Sequence, residues 1–141
     1  MRGAVSRLDP WGPPLVVAAV IWFFSSQPDL SSGLGVIDLV GRKLTHAGEY
    51  ALLCVLLWRA LRGRLAGAKA LGVAFALAVA YGALDEYHQT FVAGRNGSPV
   101  DVGIDALGAA LAVLGIRSRL RRSGSAANAD RPDRARERAS A

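Results

Sequence analysis

The fold is decided by the apolar stretch ALGVAFALAVAYGAL, residues 70–84. A helix on the surface of a soluble protein carries polar residues about every turn on its outer face. Alanine, glycine and leucine surround this helix on all sides, so no face of it suits water. The stretch therefore predicts a membrane-spanning helix, and it argues against the alternative of a soluble helical protein.

Three further apolar blocks occur in the 141-residue chain, at residues 14–24, 44–61 and 100–116. A helix needs about 20 residues to span the hydrocarbon, or about 17 when its ends lie among the headgroups. Blocks 44–61 and 100–116 reach this length alone, and the other two reach it with their polar ends included. The sequence predicts an all-α integral membrane bundle of four short transmembrane helices.

The positive charge is concentrated behind the last block, where residues 117–141 hold eight arginines against three acids. We expect an N-terminal segment (1–12), a membrane domain (13–116) and a basic, disordered tail (117–141). The tail would be drawn to anionic lipid, and nucleic acid is not an expected partner because nothing aromatic accompanies the charge. The single cysteine, Cys54, excludes a disulfide and a cysteine-based metal site.

The N-terminus resembles a secretory signal, because Arg2 and Arg7 precede the apolar run LVVAAVIWFF. No clear cleavage site of small residues follows, since SSQPDLSSG is polar. We expect the segment to be retained as the first span, with cleavage as the alternative.

Lysine and arginine predict the orientation, because basic residues stay on the cytoplasmic side during insertion. The loop between the second and third blocks carries four basic residues and no acid, and both chain ends are basic. With both termini cytoplasmic, 14 of the 17 basic residues lie inside, since 2 + 4 + 8 = 14. We therefore expect cytoplasmic termini and an outer surface that holds the polar ends of the spans.

Ionisable and polar side chains lie near the outer ends of three predicted spans. They are Lys43, His46, Glu49 and Tyr50 in the second, Asp85, Glu86, His88 and Gln89 at the end of the third, and Asp101 and Asp105 in the fourth. At about 100° per residue, those of each span fall on or near one face. A charge inside a bilayer costs about 2.5–3.5 kcal/mol and usually faces the bundle or a cavity. We expect the three faces to meet in a shallow, outward-opening polar pocket.

Two kinds of chemistry fit such a pocket. A histidine beside carboxylates can perform acid–base catalysis, which makes His46, Asp85, Glu86 and Asp101 the candidate catalytic residues. Basic residues can instead hold an anion, and Arg95 offers a planar fork suited to phosphate or carboxylate. The candidate binding residues are Lys43, Glu49, Tyr50, His88, Gln89, Arg95 and Asp105. The pattern leaves open whether the protein is an enzyme or only binds a headgroup or partner.

Three other interpretations stay open. The ionic residues could serve only to pin the helices together. A transporter is a further class, but four short spans would form one only if several chains assembled. The sequence does not reveal the oligomeric state. His46 with Glu49, and Asp85 with His88, are also i,i+3 pairs, a spacing used in di-metal helix bundles. Such pairs are common by chance, so we expect no cofactor and no metal site, with a divalent metal as the alternative.

Three segments resemble the motifs of VanZ-like membrane proteins. KLTHAGEYALLCVLL is similar to their Lys-x-x-His-x-x-x-Tyr motif, and DEYHQTFVAGR to their Asp-Glu-x-x-Gln-x-Phe-x-Pro-Gly-Arg motif. DVGIDALG, from Asp101 to Gly108, is similar to their Asp-x-x-x-Asn-x-x-Gly motif. The order and spacing agree over about residues 40–116, and FSSQP after the first span fits too.

The resemblance implies a multi-pass protein of the bacterial cytoplasmic (inner) membrane, of the kind named for low-level teicoplanin resistance. It implies work on, or binding of, cell-envelope lipids or anionic cell-wall precursors, and it supplies no reaction. The residues that match by position are Lys43, His46, Tyr50, Asp85, Glu86, Gln89, Arg95, Asp101 and Gly108. Ala93 stands where the motif has proline, and Asp105 stands where it has asparagine. The second departure adds a charge and puts any transferred role of Asp105 in doubt.

Overall fold

The computed structural model of this chain describes residues 10–28 and 35–129. These residues form four α-helices and no strand: α1 (Gly12–Ser25), α2 (Val36–Leu61), α3 (Gly67–Gln89) and α4 (Pro99–Ala129). The prediction of an all-α, four-helix architecture is confirmed for this part of the chain. Two of the helices, α3 and the Pro99–Ser125 part of α4, are long and apolar enough to cross a membrane by length and composition.

The helix starts follow local chemistry. Proline occupies the first turn of α1, where its fixed φ suits a helix and its missing N–H is not needed. At the start of α4, the Ser98 hydroxyl accepts a hydrogen bond of 3.2 Å from the Val100 N–H, which caps one of the unpaired amides. Gly94 has a φ of +75°, and this conformation lets the chain turn between α3 and α4.

The structure differs from the sequence prediction at two helix ends. α2 begins at Val36, eight residues before the predicted apolar block. The block left out these first two turns because they include charged and polar residues. α4 continues to Ala129, so residues 117–129, which the sequence analysis assigned to the tail, are helical in this structure. Arginine, leucine and alanine are good helix formers, and extending an existing helix needs no new nucleus. Residues 1–9 and 130–141, which hold the rest of the two predicted terminal segments, lie outside the described residues.

The core is built on close approach between helices with small residues. α3 contributes Ala70, Ala74 and Ala78, each fully buried and four residues apart, and α2 packs Tyr50 and Cys54 into the same core. α4 packs most extensively on α2. This core holds α3 against α2 and α4, and it determines where the polar residues of each helix lie along the axis of the bundle.

The burial pattern is the reverse of that of a water-soluble protein. Leu44, Phe23 and Leu111 are 58–69% exposed, whereas Asp85 and Asp105 are no more than 1% exposed. Single exposed apolar residues are normal on a soluble surface, but many large exposed apolar side chains on every helix, together with fully buried acids, are not. The arrangement is the one expected of helices surrounded by lipid, with costly groups turned inward.

Candidate functional site

The polar side chains of three helices meet at one end of the bundle. The N-terminal half of α2, the last turns of α3 and the first turns of α4 supply them, and the loop of residues 90–98 lies beside them. The basic loop between α2 and α3 follows the other end of α2, at Leu61. The structure therefore brings together at one level the groups that the sequence placed on separate helices.

Two pairings join α2 to α4. The Lys43 ammonium donates a hydrogen bond to Asp101 Oδ1. One turn deeper, His46 Nδ1 lies 3.5 Å from Asp105 Oδ1. The two helices run parallel here, because both pairings advance in the same direction along each chain. The pairings place a lysine–carboxylate pair at the rim and a histidine–carboxylate pair beneath it.

Glu86 is held from two sides. The Ser98 backbone N–H donates to Glu86 Oε2 at 2.9 Å, and the Gln89 amide donates to Oε1 at 3.4 Å. The same Gln89 amide donates to Asp85 Oδ2 at 3.1 Å. Gly97 lies so close to this turn that a Cβ there would come within 2.1 Å of the Glu86 carbonyl oxygen. The loop therefore closes tightly over the end of α3 and fixes the Glu86 carboxylate.

Two adjoining cavities open among these residues. One has a volume of about 290 Å³, and its polar lining comprises Arg42, Lys43, His46, Glu86, Gln89, Arg95, Asn96 and Asp101. The other, of about 450 Å³, is more apolar, and its polar lining comprises Ser25, Arg42, Thr45, His46, Glu49, Asp85 and Arg95. His46, Arg42 and Arg95 contribute to both. We call the first the rim cavity and the second the α1 cavity.

Several buried polar atoms of the site have no hydrogen-bond partner among the described residues. They are Ser25 Oγ, His46 Nδ1, Tyr50 Oη, Asp85 Oδ1, Arg95 Nε and both carboxylate oxygens of Asp105. A buried polar group without a partner costs about 1–3 kcal/mol, and a charged group costs more. Such groups in one small region leave hydrogen-bonding capacity that water or a bound group would have to satisfy.

Not every predicted site residue reaches the cavities. His88 turns toward α1, where it stacks on Trp22 with ring centroids 4.1 Å apart and its Nε2 lies 3.0 Å from Ser26 Oγ. Tyr50 and Asp105 lie behind the cavity walls, with exposures of 0% and 1%. The other predicted residues, Lys43, His46, Glu49, Asp85, Glu86, Gln89, Arg95 and Asp101, line one cavity or both.

Sequence reasoning missed three contributors. Arg42 lines both cavities, and its position beside Lys43 at the start of α2 was the signal that could have found it. Ser25 is 3% exposed and lines the α1 cavity, although its place in FSSQP gave only a weak indication. The Ser98 backbone N–H holds Glu86, and no sequence pattern identifies a backbone donor in a loop.

Metal-ligating atoms also converge in this region, in a different set from the predicted i,i+3 pairs. One donor atom each from His46, Glu86 and Asp105 lies within 4.8 Å of the other two. These residues come from α2, α3 and α4, whereas the pair Asp85 and His88 is split because His88 faces α1.

Comparison with known proteins gives one family. The VanZ/LLP1 family model matches residues 13–120, a range that begins in α1 and ends in α4. Searches of curated proteins and of solved structures found no match. The matched range contains every residue that lines the two cavities.

Proposed function

The chain belongs to the VanZ/LLP1 family, and we propose that it is a multi-pass protein of the bacterial inner membrane that binds a phosphate-bearing envelope lipid or cell-wall precursor. All four helices cross the bilayer in this proposal, with both termini in the cytoplasm. Support comes from the exposed apolar surface of every helix and from the basic α2–α3 loop, which the positive-inside rule keeps inside. The rim cavity then faces outward.

The observation that carries the proposal is the state of Arg95. Its side chain lines both cavities, and its buried Nε has no hydrogen-bond partner within the described part of the chain. A guanidinium presents its donors in a fork that matches phosphate and carboxylate oxygens. An anionic headgroup in the rim cavity would satisfy this donor and would lie beside Lys43.

The carboxylates of the rim cavity do not cancel this attraction. Asp101 is paired with the Lys43 ammonium, and Glu86 accepts hydrogen bonds from Ser98 and Gln89. The ion pair neutralises Asp101, and the two hydrogen bonds hold the Glu86 carboxylate toward the loop. Arg95 therefore supplies positive charge to a cavity of about 290 Å³, enough for a phosphate and its nearest substituent.

The experiment compares lipids that copurify with the full chain and with two arginine variants. Arg95→Ala should lower the recovered phosphate-bearing lipid about tenfold or more, since one hydrogen bond to a charged group contributes about 1.5–3 kcal/mol. Arg64→Ala is the matched control, because Arg64 lies exposed in the α2–α3 loop. Equal recovery from all three proteins would remove Arg95 from its role and would favour ionic residues that only pin the helices.

Catalysis is the second candidate, and the position of His46 favours it. His46 lines both cavities, and Asp105 lies behind it, 3.5 Å from Nδ1. A carboxylate in that position orients an imidazole for proton transfer to or from a bound group. Glu86 in the same cavity would supply the second acid–base group.

Glu86→Gln separates catalysis from recognition. Tolerance to teicoplanin in cells that depend on the protein is the phenotype to measure, together with lipid recovery. Loss of the phenotype with unchanged lipid recovery indicates catalysis, and loss of both indicates recognition. Gln27→Glu, which changes an amide to a carboxylate outside both cavities, is the control for the change of group.

A further inference from the structure

We propose that His46, Glu86 and Asp105 form a binding site for one divalent transition-metal ion of the zinc class. The proposal deepens the proposed function and rests on it for the anion that would complete the coordination of the metal. The metal ion itself is an addition, because anion binding by Arg95 does not require it.

The geometry supplies three donors from three different helices. One nitrogen of His46 and one oxygen each of Glu86 and Asp105 lie within 4.8 Å of one another. Zinc bonds to nitrogen and oxygen of about 2.0–2.2 Å keep tetrahedral donors about 3.4 Å apart. Binding therefore requires the donor atoms of the three side chains to move inward by roughly an ångström.

Asp105 provides the second, independent observation. The side chain is 1% exposed, and neither carboxylate oxygen has a hydrogen-bond partner among the described residues. A buried carboxylate left in this state is costly, and proteins compensate it by pairing or by metal coordination. The nearest group to it is His46 Nδ1, which lies 3.5 Å from Asp105 Oδ1, too far for a good hydrogen bond, and which has no other partner within the described ranges. A cation between them would satisfy both residues.

The charge and the surroundings also fit a divalent cation. Two carboxylates and a neutral imidazole balance a charge of +2. The Gln89 amide and the Ser98 N–H hold Glu86 from outside the cluster, as outer-shell donors orient metal ligands elsewhere. A mixed set of imidazole and carboxylate suits zinc better than magnesium, which prefers six oxygen ligands.

Three protein ligands would leave a fourth coordination position of the metal for a water molecule or for the anion. Three protein ligands with a fourth, free position are typical of catalytic zinc sites rather than structural ones. His46 and Glu86 both line the rim cavity beside Arg95. A phosphate oxygen or a water molecule in that cavity can therefore reach the metal while the arginine holds the rest of the anion.

The test measures zinc on the purified full chain, carried on a tag without histidine. The protein is stripped with a chelator, exposed to Zn²⁺ or Mg²⁺, passed through a desalting column and analysed for bound metal. We expect about one zinc ion per chain and no retained magnesium. His46→Gln and Asp105→Asn should abolish retention, and His88→Gln should keep it, because His88 faces α1.

Two further measurements keep the test decisive if a ligand variant fails to fold. Gln89→Ala should weaken zinc binding roughly 10–100-fold without abolishing it, as loss of an outer-shell partner does. X-ray absorption of zinc on the unaltered protein should show nitrogen and oxygen ligands without sulfur. Absence of zinc, equal zinc in Asp105→Asn, or a sulfur ligand from Cys54 would overturn the proposal.

The outcome is separable from that of the anion site. Lipid recovery that depends on Arg95 in a protein that retains no zinc would overturn the metal site alone. Zinc that depends on Asp105 in a protein with no lipid that depends on Arg95 would overturn the anion-binding function alone.

Discussion

Gly108 of α4 lies against Ala47 of α2 so closely that a Cβ added at position 108 would come within 2.0 Å of the Ala47 carbonyl oxygen. This contact is one turn beyond Asp105 and one residue beyond His46. The close approach of α2 and α4 at the site therefore requires a residue without a Cβ at position 108. Small residues at helix contacts in membranes permit this kind of backbone approach.

Gly108→Ala should separate the two helices and weaken the site. Backbone carbonyl atoms cannot move away as a flexible side chain can, so we expect a loss of about 1–3 kcal/mol in the free energy of unfolding, as for other overpacked cores. Thermal unfolding in detergent measures this loss. Gly103→Ala, on the same helix, should be neutral or slightly stabilising, because no atom lies within 4 Å of the position that its methyl group would occupy. Equal stability of the two variants would contradict the close contact.

Tyr50→Phe should leave the protein as stable or make it more stable. The Tyr50 hydroxyl is buried and has no partner among the residues described, so its removal eliminates a penalty of about 1–3 kcal/mol. Lipid recovery should not change, because Tyr50 lines neither cavity. A large fall in lipid recovery would restore the binding role that the sequence motif suggested.

Tyr81→Phe is the matched comparison for that variant. The Tyr81 hydroxyl donates a hydrogen bond of 2.6 Å to the Ala18 carbonyl oxygen of α1. Its loss should destabilise the protein by about 1 kcal/mol, measured by the same thermal unfolding. If both tyrosine variants behaved alike, the assignment of partners to the two hydroxyls would be wrong.

His88→Gln should weaken the attachment of α1 without affecting the anion. The change removes the stacking on Trp22 and alters the hydrogen bond with Ser26, which together should lower the free energy of unfolding by about 1–2 kcal/mol. Thermal unfolding in detergent measures this loss. Lipid recovery that falls as far as in Arg95→Ala would contradict the placement of His88 outside the cavities.

The helices could be predicted from the sequence because each one contains a block of apolar residues. Four apolar blocks correspond to α1–α4, and helical periodicity placed Lys43, His46 and Asp105 on inward faces. Periodicity within one helix cannot say which neighbour a face meets. His88 lies near Asp85 on the helix wheel, yet the structure turns it to α1. That distinction depends on tertiary packing.

Other features of the site have no sequence signal. The Ser98 N–H contact with Glu86 depends on the conformation of a loop. The grouping of Glu86 with His46 and Asp105 depends on the heights of three helices, whereas sequence spacing could propose only pairs within one helix. The extension of α4 to Ala129 was missed because a hydropathy block ends where the arginines begin, although arginine favours helix.

The most direct test of the central claim, an anion site that faces outward, is the sidedness of its loop. In a Cys54→Ser background, single cysteines replace Asn96, which lines the rim cavity, and Arg64, in the α2–α3 loop. A membrane-impermeant thiol reagent applied to intact spheroplasts should label the cysteine of Asn96→Cys directly and that of Arg64→Cys only after permeabilisation. Labelling of the Arg64→Cys protein in intact spheroplasts, with the Asn96→Cys protein protected, would contradict the account.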